Sequence, residues 1–253
     1  MNIAVITGAS SGMGKDFFIQ LSENEKFDEI WIIARREERL KELQQQVQFP
    51  VRVIPMDLGK EENIEQYGIL LEKEKPTVKV LVNASGFGAF ESFENVTLKT
   101  YYDMIDVNAK AVVGMTYKTL PYMKEGGEIY QVDSLSAFQP VPYINVYGAT
   151  KAFVLSFSRA LNKELKNRGI RVLAICPGWV KTEFFDTAIT DQEVITYYNQ
   201  FFESADVVKK AIKDMKKGKD VSVLGFGIRM QVLMTKLLPH RFIMWIWCKQ
   251  QKK

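Results

Sequence analysis

Ile3-Ala4-Val5-Ile6-Thr7-Gly8-Ala9-Ser10-Ser11-Gly12-Met13-Gly14 is the stretch that decides the fold. A short β-branched run ends in a glycine-rich turn, and the turn opens a helix over Gly12 to Glu23. Gly8 takes the tight turn, Gly12 lets a phosphate approach the backbone, and Gly14 lets the helix pack closely on the strand. Unpaired N–H groups at the helix start then face the anion. The spacing is G-x-x-x-G-x-G rather than G-x-G-x-x-G. In its strand–helix setting the turn predicts a dinucleotide site that includes Ser10, Ser11 and Met13.

The same alternation repeats downstream. Apolar strands are predicted over Glu29 to Ala34, Val51 to Pro55, Val78 to Val82, Gly127 to Val132, Ile170 to Ile175 and Val221 to Leu224. Helices are predicted over Arg36 to Val47, Glu61 to Lys73, Thr97 to Val107, Ala109 to Met123 and Tyr147 to Asn167. Leu40, Leu43 and Val47 set the apolar stripe of the first of these. Strands that are apolar throughout, each followed by a helix, describe a parallel sheet covered on both faces. Right-handed crossovers make it a single-domain, doubly wound (Rossmann-type) α/β sheet flanked by helices. No linker or repeat divides the chain, so residues 1–225 are assigned to one dinucleotide-binding and catalytic domain, and residues 226–253 to a basic, apolar C-terminal extension of it. The aromatic-rich segment around residues 179–205 breaks the rhythm. It reads as a substrate loop or as a pair of packed connecting helices.

Composition narrows the function. Of 253 residues 47% are hydrophobic and 25% charged, which excludes a disordered, collagen-like or disulfide-stapled chain. A net charge of +4, from 34 basic and 30 acidic residues, is too balanced for a nucleic-acid binder. Cys176 and Cys248 match no metal spacing and fit a reducing compartment. With no leader and no apolar stretch long enough to span a bilayer, the expected location is cytoplasmic. The C-terminal segment is different. After Asp220 there is no acidic residue, but there are Arg229, Lys236, Arg241, Lys249, Lys252 and Lys253, and residues Phe242 to Cys248 are all apolar. Such a segment packs on a partner subunit, covers the substrate cleft, or makes peripheral contact with an anionic membrane.

Three further elements carry chemistry. The second strand ends at Ala34-Arg35-Arg36, where an acid would favour NAD and an arginine suits a 2′-phosphate, so NADP is expected over NAD. The same arginines would also suit the solvated start of a helix. Tyr147 and Lys151 lie four residues apart and share a helix face. The ammonium favours the phenolate and should lower the phenol pKa from about 10 towards neutrality. Ser134, thirteen residues before Tyr147, offers a hydroxyl to a substrate carbonyl.

In this order and at these separations the elements resemble the classical short-chain dehydrogenase/reductase family, over roughly residues 2–225. The turn Thr7–Gly14 is similar to the family's cofactor turn, and Asp57-Leu58 to its adenine-contacting position. Asn83-Ala84-Ser85-Gly86 resembles its N-N-A-G element, with alanine for the second asparagine and serine for the alanine. Asn108 falls where the family has an asparagine in a helix kink; Pro177-Gly178, with Val180 and Thr182, resembles the element that closes over the nicotinamide carboxamide. The resemblance implies that Tyr147 exchanges a proton with the substrate oxygen, Ser134 polarises the carbonyl, and Lys151 holds the nicotinamide ribose and lowers the tyrosine pKa. It implies that Asn108 anchors a water extending the relay, and that the long helices build a homodimer or homotetramer. The cofactor carries the hydride.

Tyr143, Trp179 and Phe184 are the expected substrate contacts beside Ser134 and Tyr147. They suit a small-molecule apolar ketone, aldehyde or secondary alcohol. Leu237-Leu238-Pro239-His240-Arg241 is similar to ketoacyl- and hydroxysteroid-type members. The lone histidine, His240, is expected at the surface or in packing, and no metal site is expected. Two other readings stand beside this one: a non-catalytic NADP-binding regulator on the same fold, and a reductase of the ketoacyl or hydroxysteroid type working at a membrane surface.

Overall fold

A computed structural model describes residues 1–24, 27–188 and 194–253. In chain order it runs β1 (Asn2–Thr7), α1 (Gly12–Asn24), β2 (Glu29–Ala34), α2 (Glu37–Gln45), β3 (Val51–Pro55), α3 (Glu61–Glu74), β4 (Thr77–Asn83), α4 (Leu98–Ile105) and α5 (Ala111–Thr119). It continues with β5 (Met123–Val132), α6 (Asn145–Glu164), β6 (Arg171–Ile175), β7 (Trp179–Lys181), α7 (Phe184–Ala188), β8 (Phe201–Glu203), α8 (Ser204–Lys216), β9 (Val221–Ser222), α9 (Phe226–Leu237) and α10 (His240–Gln250).

Seven strands pair in the order β3-β2-β1-β4-β5-β6-β9, and every pairing is parallel. This is the expected Rossmann-type sheet. Strand parity sorts the core into two layers. Ala4, Ile6, Ile30 and Ile32 face Phe17, Phe18, Leu40 and Val208 on one side; Ile3, Val5, Trp31 and Ile33 face Tyr67, Leu71, Met115 and Leu161 on the other. Both faces of each central strand are therefore apolar, as a doubly covered parallel sheet requires. The order reverses between β1 and β4, and their carboxyl ends diverge there to leave the crevice in which such sheets bind ligands.

Some boundaries differ from the sequence reading. A helix was expected to run on to Met123, but α5 ends at Thr119, a short 3-10 turn follows, and β5 begins at Met123. The two helices expected around Val107 and Ala109 are one helical run, joined by a π-helical turn at Asp106–Lys110. The aromatic segment holds both a helix, α7, and a strand pair, β7 with β8, parallel with Trp179 opposite Phe201. Residues 189–193 of that expected loop lie outside the described residues.

The glycine turn is closed by backbone contact. A Cβ at Gly14 would stand 2.3 Å from the Gly8 carbonyl oxygen, and one at Gly8 would stand 2.6 Å from the carbonyl oxygen of Ala84. Gly14→Ala therefore forces α1 away from the turn, and a destabilisation of roughly 1–3 kcal/mol is expected from such overpacking. Thermal unfolding measures it, and an unchanged midpoint would contradict the contact.

Candidate active site

A cavity of about 790 Å³ follows the crevice from the glycine turn to α6 and under α9 and α10. One wall is the turn itself: Gly8, Ser10, Ser11, Gly12 and Met13 line it, while Gly14 lies behind, against Gly8. Gly8 and Gly12 take positive φ, 66° and 52°, and at these two positions the wall is bare backbone. Thr7 fastens the turn to β4, because its Oγ1 accepts the backbone N–H groups of Ala84 at 3.0 Å and Ser85 at 3.3 Å.

Arg35, Arg36, Asp57 and Leu58 line the same end. Arg36 Nη2 donates to Ser10 Oγ at 3.1 Å and to Ser11 Oγ at 3.0 Å. Its Nη1 meets Glu183 Oε2 at 2.9 Å, and Arg39 Nη1 meets Glu183 Oε1 at 2.5 Å. A carboxylate from the segment after β7 thus bridges two guanidinium groups beside the glycine turn. The arginines hold its pKa below the usual carboxylate range. Ala84, Ser85 and Gly86 form the adjoining floor, and Pro177, Gly178, Val180 and Thr182 form the opposite lip.

Ser134, Tyr147 and Lys151 converge at the other end. Ser134 Oγ accepts the backbone N–H of Ser136 at 3.2 Å and its hydroxyl hydrogen-bonds the Tyr147 phenol. Lys151 Nζ donates to the Val132 carbonyl at 2.8 Å and lies 5.6 Å from the Tyr147 ring centroid. Burial dominates the electrostatics. It raises the phenol well above its ordinary value; the Ser134 hydrogen bond pulls it back, and Asp133 and Cys176 push it further up. Burial likewise lowers the Lys151 ammonium, against the attraction of Asp133. The expectation that Lys151 brings the phenol towards neutrality is therefore corrected, because both groups are desolvated in the same place.

Four expected site residues do not reach the cavity. Asn83 is buried beneath it and donates to Gln131 Oε1 at 2.9 Å and Thr116 Oγ1 at 3.2 Å, joining β4 to β5 and α5. Asn108 holds one backbone unit, Nδ2 donating to Phe87 O at 2.8 Å and Oδ1 accepting Phe87 N–H at 3.1 Å, and Nδ2 also donates to Thr150 Oγ1 on α6 at 3.2 Å. Its side chain positions the loop after β4. Tyr143 takes a left-handed φ of 68°, and its ring meets Lys253 Nζ rather than the cavity. Gly14 acts through packing alone.

Other residues at the site escaped the sequence reading. Asp133 is buried on the cavity wall, with Cys176 Sγ donating to Oδ2 at 3.7 Å and no partner for Oδ1 among the described residues. Phe90 packs on Tyr147 and on the expected wall residues Trp179 and Phe184, with ring centroids 5.8–6.1 Å apart. The roof comes from α9 and α10: Met234, Leu238, Ile246 and Trp247 line the cavity. Trp247 stacks on Trp179 at 6.5 Å and its Nε1 donates to Pro142 O at 3.0 Å. Gln251 ties the roof to the loop, its Oε1 accepting the N–H groups of Thr196 at 2.8 Å and Tyr197 at 3.0 Å. Of the three placements open to the C-terminal segment, cleft cover is realised by its inner face. His240 is exposed, as expected.

A family model described as short chain dehydrogenase matches residues 2–193. The chain belongs to the short-chain dehydrogenase/reductase family. It is an oxidoreductase acting on alcohol or carbonyl groups. An uncharacterized oxidoreductase of Staphylococcus epidermidis is 34% identical to this dehydrogenase over 182 residues, covering 71% of this chain and 78% of that protein. Sulfoacetaldehyde reductase 2 of Chromohalobacter salexigens is 35% identical over 192 residues, covering 72% and 74%. The closed form of a serine dehydrogenase complexed with NADP+ superposes with a TM-score of 0.75 at 27% identity, covering 88% of this chain and 94% of that one.

Proposed function

We propose that this dehydrogenase transfers a hydride between NADP and an apolar ketone, aldehyde or secondary alcohol. One observation carries the reading. A single cavity joins the glycine turn and Arg36 at one end to Ser134, Tyr147 and Lys151 at the other. The residues fit a dinucleotide: Gly8 and Gly12 present backbone to the cavity where a pyrophosphate would lie, and Arg35 and Arg36 with Ser10 offer donors to a 2′-phosphate. The solved serine dehydrogenase carries NADP+. A bound nicotinamide supplies or accepts the hydride.

The chain's own residues handle the proton. Burial keeps the Tyr147 phenol protonated at neutral pH, so it is ready to give its proton to a carbonyl oxygen as the alkoxide develops. Ser134, fixed by the Ser136 amide, orients and polarises that oxygen. Lys151, beside the phenol, holds the ribose and supports the phenolate once the proton has left. Asn108 acts at one remove, by fixing Phe87. Alcohol oxidation runs the same transfer backwards and needs the phenolate. The assembled Ser134, Tyr147 and Lys151 set argues against a purely regulatory NADP-binding protein, which has no use for it.

The substrate end is walled by Phe90, Trp179, Phe184, Ile246 and Trp247, and Lys151 is its one cation among the described lining residues. An anionic carbonyl compound, of the kind named for the Chromohalobacter relative, would find little to neutralise it there; an apolar one buries against rings. Residues 1–225 are read as the catalytic unit, and residues 226–253 as its roof within the same domain, supported by the Trp247 and Gln251 contacts. A homo-oligomer is supported by the apolar groove beside α4, α5 and α6, where Ile105, Tyr117 and Phe153 stand exposed.

Tyr147→Phe is expected to abolish NADPH-dependent reduction across a panel of ketones and aldehydes while cofactor fluorescence titration stays near wild type. Retained turnover would reject the proton assignment. Asp133→Asn removes a negative charge that raises the phenol, so the phenolate forms more readily and the alkaline limb of alcohol oxidation moves to lower pH. A limb that stays put excludes the coupling. Arg36→Ala should raise the NADPH dissociation constant by about tenfold or more, as loss of a charge-assisted hydrogen bond implies, with NADH unchanged. Glu183→Gln should tighten NADPH selectively, since it removes the anion that holds Arg36 and Arg39.

A further inference from the structure

Helices α9 and α10 are apolar on both faces. The inner face, with Ile228, Val232 and Ile243 buried, roofs the cavity. The outer face of α9 carries Phe226, Met230, Leu233 and Leu237, all exposed and spaced four, three and four residues apart, which is one stripe on a helix. Arg229 and Lys236 are exposed on the same helix. On α10, Phe242 and Trp245 are exposed and stack on each other at 5.6 Å, and Lys249 Nζ lies 4.5 Å over the Trp245 ring. Among the described residues nothing covers either stripe. An exposed apolar face of this kind marks a binding surface.

Charge selects the occupant. Six basic residues follow Asp220 and no acidic one does. A second copy docked face to face by a two-fold axis would set these cations against their own equivalents, with no carboxylate side chain of the segment to pair them. An anionic lipid surface meets both demands: acyl chains take the apolar stripes, and headgroups take the lysines and arginines that flank them. A tryptophan beside a lysine at the edge of an apolar stripe is the usual composition of such an interface. No helix among the described residues is long and apolar enough to cross a membrane, so the contact is one of lying on the surface. We propose that the outer face of α9 and α10 docks this dehydrogenase on anionic bilayers. Docking then places the roof of the cavity against the lipid.

The test is co-sedimentation of the full chain with vesicles of phosphatidylcholine alone and of phosphatidylcholine mixed with phosphatidylglycerol. Binding is expected to the mixed vesicles only, and to fall as salt is raised. Phe242→Ser with Trp245→Ser should weaken partitioning by about tenfold or more. Arg241→Glu with Lys249→Glu should weaken it by about fivefold for each charge lost. All four side chains point away from the cavity, so NADPH binding should match wild type in both variants; this checks folding independently. Should the apolar pair misfold, the charge pair alone decides. Absence of binding to mixed vesicles overturns the proposal. So does concentration-dependent self-association that the apolar pair abolishes while vesicles are ignored, which would assign the face to a second copy.

Discussion

Everything at this site rests on how closely two backbone segments approach at the reversal of strand order. Gly8 stands against the Ala84 carbonyl with no room for a Cβ, and Gly14 stands against Gly8 in the same way. Thr7 closes the gap from the other side by accepting two amides of the β4 loop. These contacts let α1 begin directly at the mouth of the crevice, so its first N–H groups and the turn's bare backbone face one cavity. They also set the height of the floor at Ala84, Ser85 and Gly86. A Cβ at Gly86 would stand 3.0 Å from Asn108 Oδ1 and 3.6 Å from Lys151 Nζ, so the floor reaches the reacting end without a side chain in the way. The departure from the family's second asparagine at Ala84 costs little for the same reason, since Ala84 meets the turn through its backbone.

Desolvation then governs the chemistry at the far end. Tyr147, Lys151, Asp133 and Cys176 are buried together, and for each of them burial is the largest influence on its proton affinity. The phenol, the carboxyl and the thiol are driven towards their neutral forms, and so is the amine. Asp133 is the one acid in this group, and it raises the Lys151 ammonium while raising the phenol. Once ionised, its carboxylate favours a charged lysine and an uncharged tyrosine.

The fold was legible because its signals are local. An apolar strand, a glycine at a tight turn and a three-four helical stripe each occupy a few adjacent residues, and the order of the sheet follows from handedness. The proposed proton-transfer group was legible through spacing on one helix and along one chain. What escaped needed two distant segments to meet. Asn108 and Asn83 have side chains that any polar site could use; only the partners Phe87, Gln131 and Thr116 show that they build the frame instead. Tyr143 sits between Ser134 and Tyr147 in sequence and packs against the same apolar cluster, yet it is absent from the cavity lining. Glu183 and Asp133 look like ordinary surface acids in a string of letters. Their meaning comes from Arg36 and Arg39, 147 and 144 residues away, and from a burial no periodicity announces.

The C-terminal helices show the same limit from the other side. Their composition announced an unusual surface but not which face would be used. The structure divides the labour by helical angle: the residues that roof the cavity and those that face outward alternate along the same two helices. Trp247 and Trp245 are two positions apart, and one closes the substrate end against Trp179 while the other stacks outward on Phe242. Trp247 and Gln251 also hold Pro142 and the 196–197 backbone, so the segment that carries the outer face is hydrogen-bonded to the loops around the cavity on its other side.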